Sequence, residues 1–205
     1  FIGRQCGHKF SLSKVLSTLI YARIVDPCSK KKTFEEVLPE LFDVDDVSLE
    51  HIYDSLPTLG ETYEEIIDVY NKFVEDKWGR NFSHTYFDCT NFYFEIDYED
   101  EFRRKGPSKE NRHDPIVGMG LLLDADRIPI GMKMYPGNQS EKPIIREVIQ
   151  NLKKRHSLDT KTVRVADKGL NCAENIYSTA FDQDGYIFSK SVKQLPQLEQ
   201  TWILL

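Results

Sequence analysis

Two apolar, β-prone runs in this chain are each interrupted by a single aspartate. HTYFDCTNFYFE carries Asp88, and KTVRVADKGL carries Asp167. Aspartate is disfavoured in strands on propensity grounds. An acid that breaks such a run twice marks two carboxylates placed inside or at the end of a sheet. The stretch between them leaves room for two more strands and a helix.

The segment after Ser83 fills that space. His84–Ile96 is aromatic-rich and predicts a strand. Asp97–Asp114 is highly charged, contains Gly106-Pro107 and predicts a loop or hairpin tip. Pro115–Leu123 and Ile128–Met134 predict two strands joined by a tight connection through Asp124-Ala-Asp-Arg127. Tyr135-Pro-Gly-Asn138 predicts a turn. Ser140 is the expected N-cap of a helix from Glu141 to about His156, with Ile144, Ile145, Val148, Ile149 and Leu152 at apolar spacing. Lys161–Ala166, Ala173–Phe181 and Tyr186–Val192 predict a strand, a helix and a strand. The order is β-β-β-α-β-α-β. Three hairpin-joined strands followed by alternating helices and strands give α/β; a ribonuclease-H-like mixed sheet with flanking helices.

The first 80 residues form the expected all-helical N-terminal region, and residues 81–205 the sheet-bearing core. Ser11–Arg23 has a helical apolar period that ends at Asp26-Pro27. Thr33-Phe-Glu-Glu36 fits a capping box for a short helix through about residue 42. A further helix is expected over Ser48–Leu56. Glu61–Lys77 carries Ile66, Val69, Tyr70, Phe73 and Val74 on one stripe, and Gly79 stops it.

Composition removes several classes of function. No apolar run approaches the ~20 residues of a membrane span, and no signal-peptide pattern opens the chain. A cytoplasmic protein is the expectation, with nucleoid association when DNA is bound. Cys6, Cys28, Cys89 and Cys172 are scattered with no CxxC pair, which gives no zinc or redox motif. The net charge of −6 counts mildly against a dedicated nucleic-acid binder. The bases nevertheless cluster locally, and local patches decide where a phosphate backbone lies.

Asp88 lies mid-strand and Asp167 ends the run VRVA. In an α/β sheet, sites form at the carboxyl ends of strands. Two carboxylates converging there repel unless a cation bridges them. Mg²⁺ or Mn²⁺ suits such oxygen donors, and a pair of ions fits an in-line phosphoryl displacement. Taken singly, Asp167 reads as a capped turn and Asp88 as a buried, hydrogen-bonded acid. The pair in this strand order favours a metal site. Arg103, Arg104, Lys105, Lys109 and Arg112, after the first strand, and Lys168, after the second acid, are candidate DNA-backbone contacts; a solvated loop is the plainer alternative. Lys30–Lys32 allow the same two readings. His113 beside Asp114 has no placed nucleophile.

The run DPIVGMGLLLDADRIPIGMKMYPGNQSE, a helix and then VRVADKGL resembles DDE-type insertion-sequence transposases, most of all the IS-four-like group. The resemblance covers nearly the whole chain, including the opening YARIVDPCSKKKTFEE. It implies that Asp88, in Asp88-Cys-Thr90, and Asp167, in Val165-Ala-Asp167-Lys-Gly169, are the first two catalytic carboxylates. It implies two Mg²⁺ or Mn²⁺ ions, cleavage at transposon inverted-repeat ends, strand transfer into target DNA, and a homodimer. The family also uses a third acid, a glutamate in a tyrosine–x–x–glutamate motif, which this sequence does not show. The chain opens on Phe1 rather than Met, so it is expected to be an excerpt with that acid beyond Leu205. Glu174 is too near Asp167 for the role, and Glu199 follows Pro196 in an unassigned segment.

Two other readings compete. Phe87-Asp-Cys-Thr90 has some likeness to an aspartyl-phosphate phosphatase nucleophile, but Thr90 stands where that family has a second aspartate. The other is a truncated, inactive transposase remnant that binds DNA or an intact relative.

Overall fold

The computed structural model describes residues 7–41, 47–107, 113–156 and 161–203. The chain divides into two compact units, Phe1–Val69 and Tyr70–Leu205.

All the secondary structure of the first unit's described residues is helical. Helix α1 (Leu12–Val25) is capped by Ser11, whose side chain accepts the Lys14 N–H. The expected capping box at Thr33 is not the start of the next helix. Ser29 caps it instead, accepting the Lys32 N–H at 3.2 Å. The helical run continues through α2 (Lys30–Lys32), a π-helical turn (Thr33–Val37) and α3 (Leu38–Leu41). The three lysines hid this start, because they carry no apolar period. Thr33 is buried beside the Cys28 thiol at 3.3 Å. The expected end of this helix near residue 42 lies outside the described residues.

Helix α4 (Leu49–Glu61) begins with a Ser48–His51 capping box and runs past Pro57. The sequence had predicted an end at Leu56. Pro57 removes the N–H that would bond the Tyr53 carbonyl, and that turn is solvent-facing, with Tyr53 exposed. Val15, Ala22, Val37, Leu38, Val47 and Ile52 form this unit's core. Helix α5 (Tyr63–Trp78) spans the division and stops at Gly79, whose φ of +74° suits glycine. Its expected apolar stripe is largely exposed: Val69, Tyr70 and Phe73 face solvent, and Asn71 and Val74 are the buried positions.

The second unit is built on a five-stranded mixed sheet with order β3-β2-β1-β4-β5. The strands are β1 (His84–Tyr93), β2 (Ile116–Leu123), β3 (Pro129–Pro136), β4 (Val163–Ala166) and β5 (Gly185–Phe188). β1, β2 and β3 pair antiparallel, whereas β4 runs parallel to both β1 and β5. This is the ribonuclease-H-like arrangement expected from the strand order. β3 includes Tyr135 and Pro136, which the sequence had assigned to a turn.

Helix α6 (Ile144–His156) starts three residues later than expected, after a turn that ends at Pro143. It lays Ile144, Ile145, Val148 and Ile149 over Phe87, Cys89, Leu122 and Ile130. Two glycines permit this close packing. A Cβ on Gly120 would sit 2.6 Å from the Phe87 ring and 2.8 Å from Ile144, and one on Gly118 would overlap the Tyr135 ring. α7 (Ala173–Phe181) follows β4, and α8 (Gln197–Ile203) holds Glu199.

Two buried aspartates, Asp124 just after β2 and Asp184 just before β5, tie this unit together. Asp124 accepts Arg80 at 2.9 Å, and Arg80 also reaches Asn71 at 2.7 Å. Asp184 accepts Arg164 Nε at 3.0 Å, Lys153 at 2.9 Å and the Thr162 N–H at 3.2 Å.

Candidate functional site

The register of β1 and β4 determines where the two predicted acids stand. Their last pairs are Tyr86 with Val165 and Phe87 with Ala166. Asp88 and Asp167 are each the next residue on, at the carboxyl ends of that pairing. In-register neighbours on parallel strands present side chains to one face, about 5 Å apart at their backbones. The sequence that does this is an alternation. Phe87 and Cys89 are buried on the α6 side, so Asp88 between them is exposed. Ala166 is buried and Asp167 is exposed in the same way.

Each carboxylate accepts a nearby main-chain N–H. Asp88 accepts that of Cys89 at 2.8 Å. Asp167 caps the short 3₁₀ turn Lys168–Leu170 and accepts the Gly169 N–H at 2.9 Å. Two carboxylates at adjacent strand ends supply hard oxygen donors. Such a set fits Mg²⁺ or Mn²⁺, which bind through one or two carboxylates and keep other positions for water and substrate phosphates. Among the described residues no group of three or more His, Cys, Asp or Glu side chains forms a ready metal cage.

Sequence reasoning passed over two groups at this place. A Cβ on Gly169 would lie 3.2 Å from Asp167 Oδ1 and 3.8 Å from Glu141 Oε2. Glu141 therefore reaches the same small volume as Asp167. Tyr135, only 2% exposed, lies across Gly118, with its hydroxyl against the Cys89 thiol. Burial pushes that phenol well above its ordinary range. The Cys89 thiol beside it and the charges of Glu141 and Asp88 act in the same direction. The only sequence signal for Glu141 was its position closing the turn Pro136–Glu141.

The predicted basic contacts are less uniform than their clustering implied. Arg103 is held by Asp100 at 2.5 Å and lies 5.7 Å over the Phe94 ring. N–H groups of Arg103 and Phe102, together with the Arg103 side chain, lower the Asp100 carboxyl to about 2. Arg104 exchanges main-chain hydrogen bonds with Ile116, and the Lys105 N–H bonds Glu99. Lys168 is exposed directly after Asp167. Lys109 and Arg112 lie outside the described residues. Glu174 is exposed in the first turn of α7, where its own N–H and the Cys172 side chain lower its carboxyl.

No protein-family model and no curated protein sequence matches this chain. Among solved structures it is similar to piggyBac transposase in a synaptic complex with hairpin DNA. That match has 13% identity and a TM-score of 0.49, and covers 92% of this chain and 43% of the other. It is also similar to Mos1 transposase in a paired-end complex with the left transposon end, at 11% identity, a TM-score of 0.36, and 89% and 59% coverage. A pre-cleavage Mos1 transpososome gives 10% identity, a TM-score of 0.37, and 98% and 67% coverage. The chain thus spans less than half of the piggyBac protein. Identity this low transfers no residue's role; the likeness is to the architecture of DNA transposases.

Proposed function

We propose that this chain is part of a DDE-type transposase of the IS-four-like group, with Asp88 and Asp167 as two of its catalytic acids. The observation that carries the reading is the register. The two aspartates of the strand-borne motifs stand side by side, exposed, just past the last pairs of two parallel strands.

The acids would hold divalent ions, Mg²⁺ or Mn²⁺. Such ions supply charge stabilisation for an in-line displacement at phosphorus. The chain's own contribution is positioning. β1 and β4 fix the two carboxylates on a packed sheet, so ions held there would engage a DNA phosphate without a large rearrangement of the protein. Water would be the nucleophile in cleavage and a DNA 3′-hydroxyl in strand transfer. Lys168, next to Asp167, is placed to touch a phosphate, and Arg104 and Lys105 lie on the loop beyond β1. The partners proposed are the inverted-repeat ends and a target DNA, brought together by a homodimer. The helical N-terminal region would serve DNA binding or dimerisation.

The test is a cleavage assay on DNA bearing the element's terminal inverted repeats, with Mg²⁺ or Mn²⁺. The expected result is metal-dependent nicking that Asp88→Asn and Asp167→Asn both abolish. Nicking that survives both substitutions contradicts the reading. Salt-sensitive DNA binding without any cleavage favours the inactive remnant.

A further inference from the structure

Under α6, where β1 and β4 begin, lies a cavity of about 20 Å³. Its walls are mostly apolar, from Phe82, Leu122, Ile149 and Leu152. Three polar residues also line it: Thr85 on β1, Thr162 just before β4 and Lys153 on α6. Thr85 is 4% exposed and Thr162 9%, and neither hydroxyl has a hydrogen-bond partner. The Thr162 main chain is satisfied: its N–H bonds Asp184 at 3.2 Å, and its carbonyl accepts the Gly185 N–H at 2.9 Å. The side chain is the part left over. Lys153 carries three donors; Asp184 takes one at 2.9 Å, and Asp182 lies at 3.7 Å. A buried hydroxyl without a partner is uncommon, because nothing then offsets its loss of water. Here two of them line one cavity.

We propose that this cavity is an internal hydration site, in which an ordered water joins the Thr85 hydroxyl to the Thr162 hydroxyl. Size and charge select the ligand. A water needs a cavity of about 10–15 Å³ or more and two to four polar partners. The volume meets the first condition, and the two hydroxyls with the Lys153 ammonium meet the second. The ammonium disfavours a metal cation, and the Asp184 carboxylate beside it disfavours an anion. Each hydroxyl both donates and accepts, so one water satisfies the pair. The β1–β4 pairing runs from His84 with Val163 to Phe87 with Ala166. The water ties the two strands beside the first of these pairs. Asp88 and Asp167 follow the last one, so the hydration site stands apart from them.

The test is a high-resolution crystal structure of the full chain, with and without xenon pressure, set against the double variant Thr85→Val/Thr162→Val. Valine has nearly the shape of threonine without the hydroxyl, and removing both polar partners together is close to neutral for folding. In the unmodified chain a water peak is expected about 2.7–3.0 Å from both Oγ1 atoms, with no xenon in the cavity. In the double valine variant the water is expected to be lost and xenon to enter, because dry apolar cavities bind it. Thr85→Ser/Thr162→Ser keeps both hydroxyls and is expected to keep the water. Hydroxyls turned onto main-chain carbonyls with no water between them overturn the inference. Xenon in the cavity of the unmodified chain overturns it as well. A water unchanged in the double valine variant does the same, since the hydroxyls then do not hold it. If that variant fails to fold, the water peak and the xenon result on the unmodified chain decide alone.

Discussion

At the end of the sheet where β1, β4 and β5 begin, Asp124 and Asp184 are buried and gripped by arginine and lysine. At the end where the β1–β4 pairing finishes, Asp88 and Asp167 are exposed and each accepts a main-chain N–H. The residue type is the same and the environments are opposite. A buried carboxylate must be neutralised by a partner charge, and that makes it part of the fold. An exposed carboxylate carries no such demand, and under the function proposed above these two serve as metal-holding acids.

That contrast breaks first at the buried end. Arg164→Met leaves the buried Asp184 with the Thr162 N–H and with Lys153, a cation it shares with Asp182, and is expected to cost about 3–5 kcal/mol in urea unfolding. A loss below about 1 kcal/mol would mean that Lys153 and water suffice, and that the two ends differ less than the burial implies. A smaller effect is expected under the helix. Gly118→Ala drives a methyl into the Tyr135 ring, for an expected loss of about 1–3 kcal/mol.

Acid should weaken the buried end. Burial opposes ionisation of Asp184, but hydrogen bonds from Lys153, Arg164 and the Thr162 amide outweigh it and hold its carboxyl below the usual range. A lowered folded value means that the stability is present above the unfolded value of about 3.9 and is lost as pH falls below it. Asp184→Asn should therefore flatten the acid side of the stability curve. The smallest effect expected is on folding itself: Asp88→Asn and Asp167→Asn should shift the unfolding free energy by no more than about 0.5 kcal/mol. A loss of several kcal/mol in either would make that acid structural.

Much of this second unit was legible in the sequence, because its signals are local. The Ala173–Phe181 helix has the bounds its periodicity gave. Asp88, read singly as a buried acid, is instead exposed, because Phe87 and Cys89 on either side of it take the core face. The strand order gave the sheet topology. The failures share a physical cause, since each depends on a partner far along the chain. Arg80 finds Asp124 and Asn71 finds the Ile130 carbonyl through tertiary packing. Tyr135 continues β3 because Gly118 opposite it leaves room for its ring, which overrides the turn signal of Pro136-Gly137. In α5 the apolar residues outnumber the surface that covers them, and the polar Asn71 is buried because Ile130 and Arg80 satisfy it. Glu141 was visible only as a residue of a turn, because nothing local says that Gly169 will lie next to it.

The most direct measurement is anomalous diffraction from crystals of the chain grown with Mn²⁺. The account predicts a manganese peak next to the Asp88 and Asp167 carboxylates. Ordered carboxylates at both positions with no peak next to them, or a peak bound elsewhere, would contradict it.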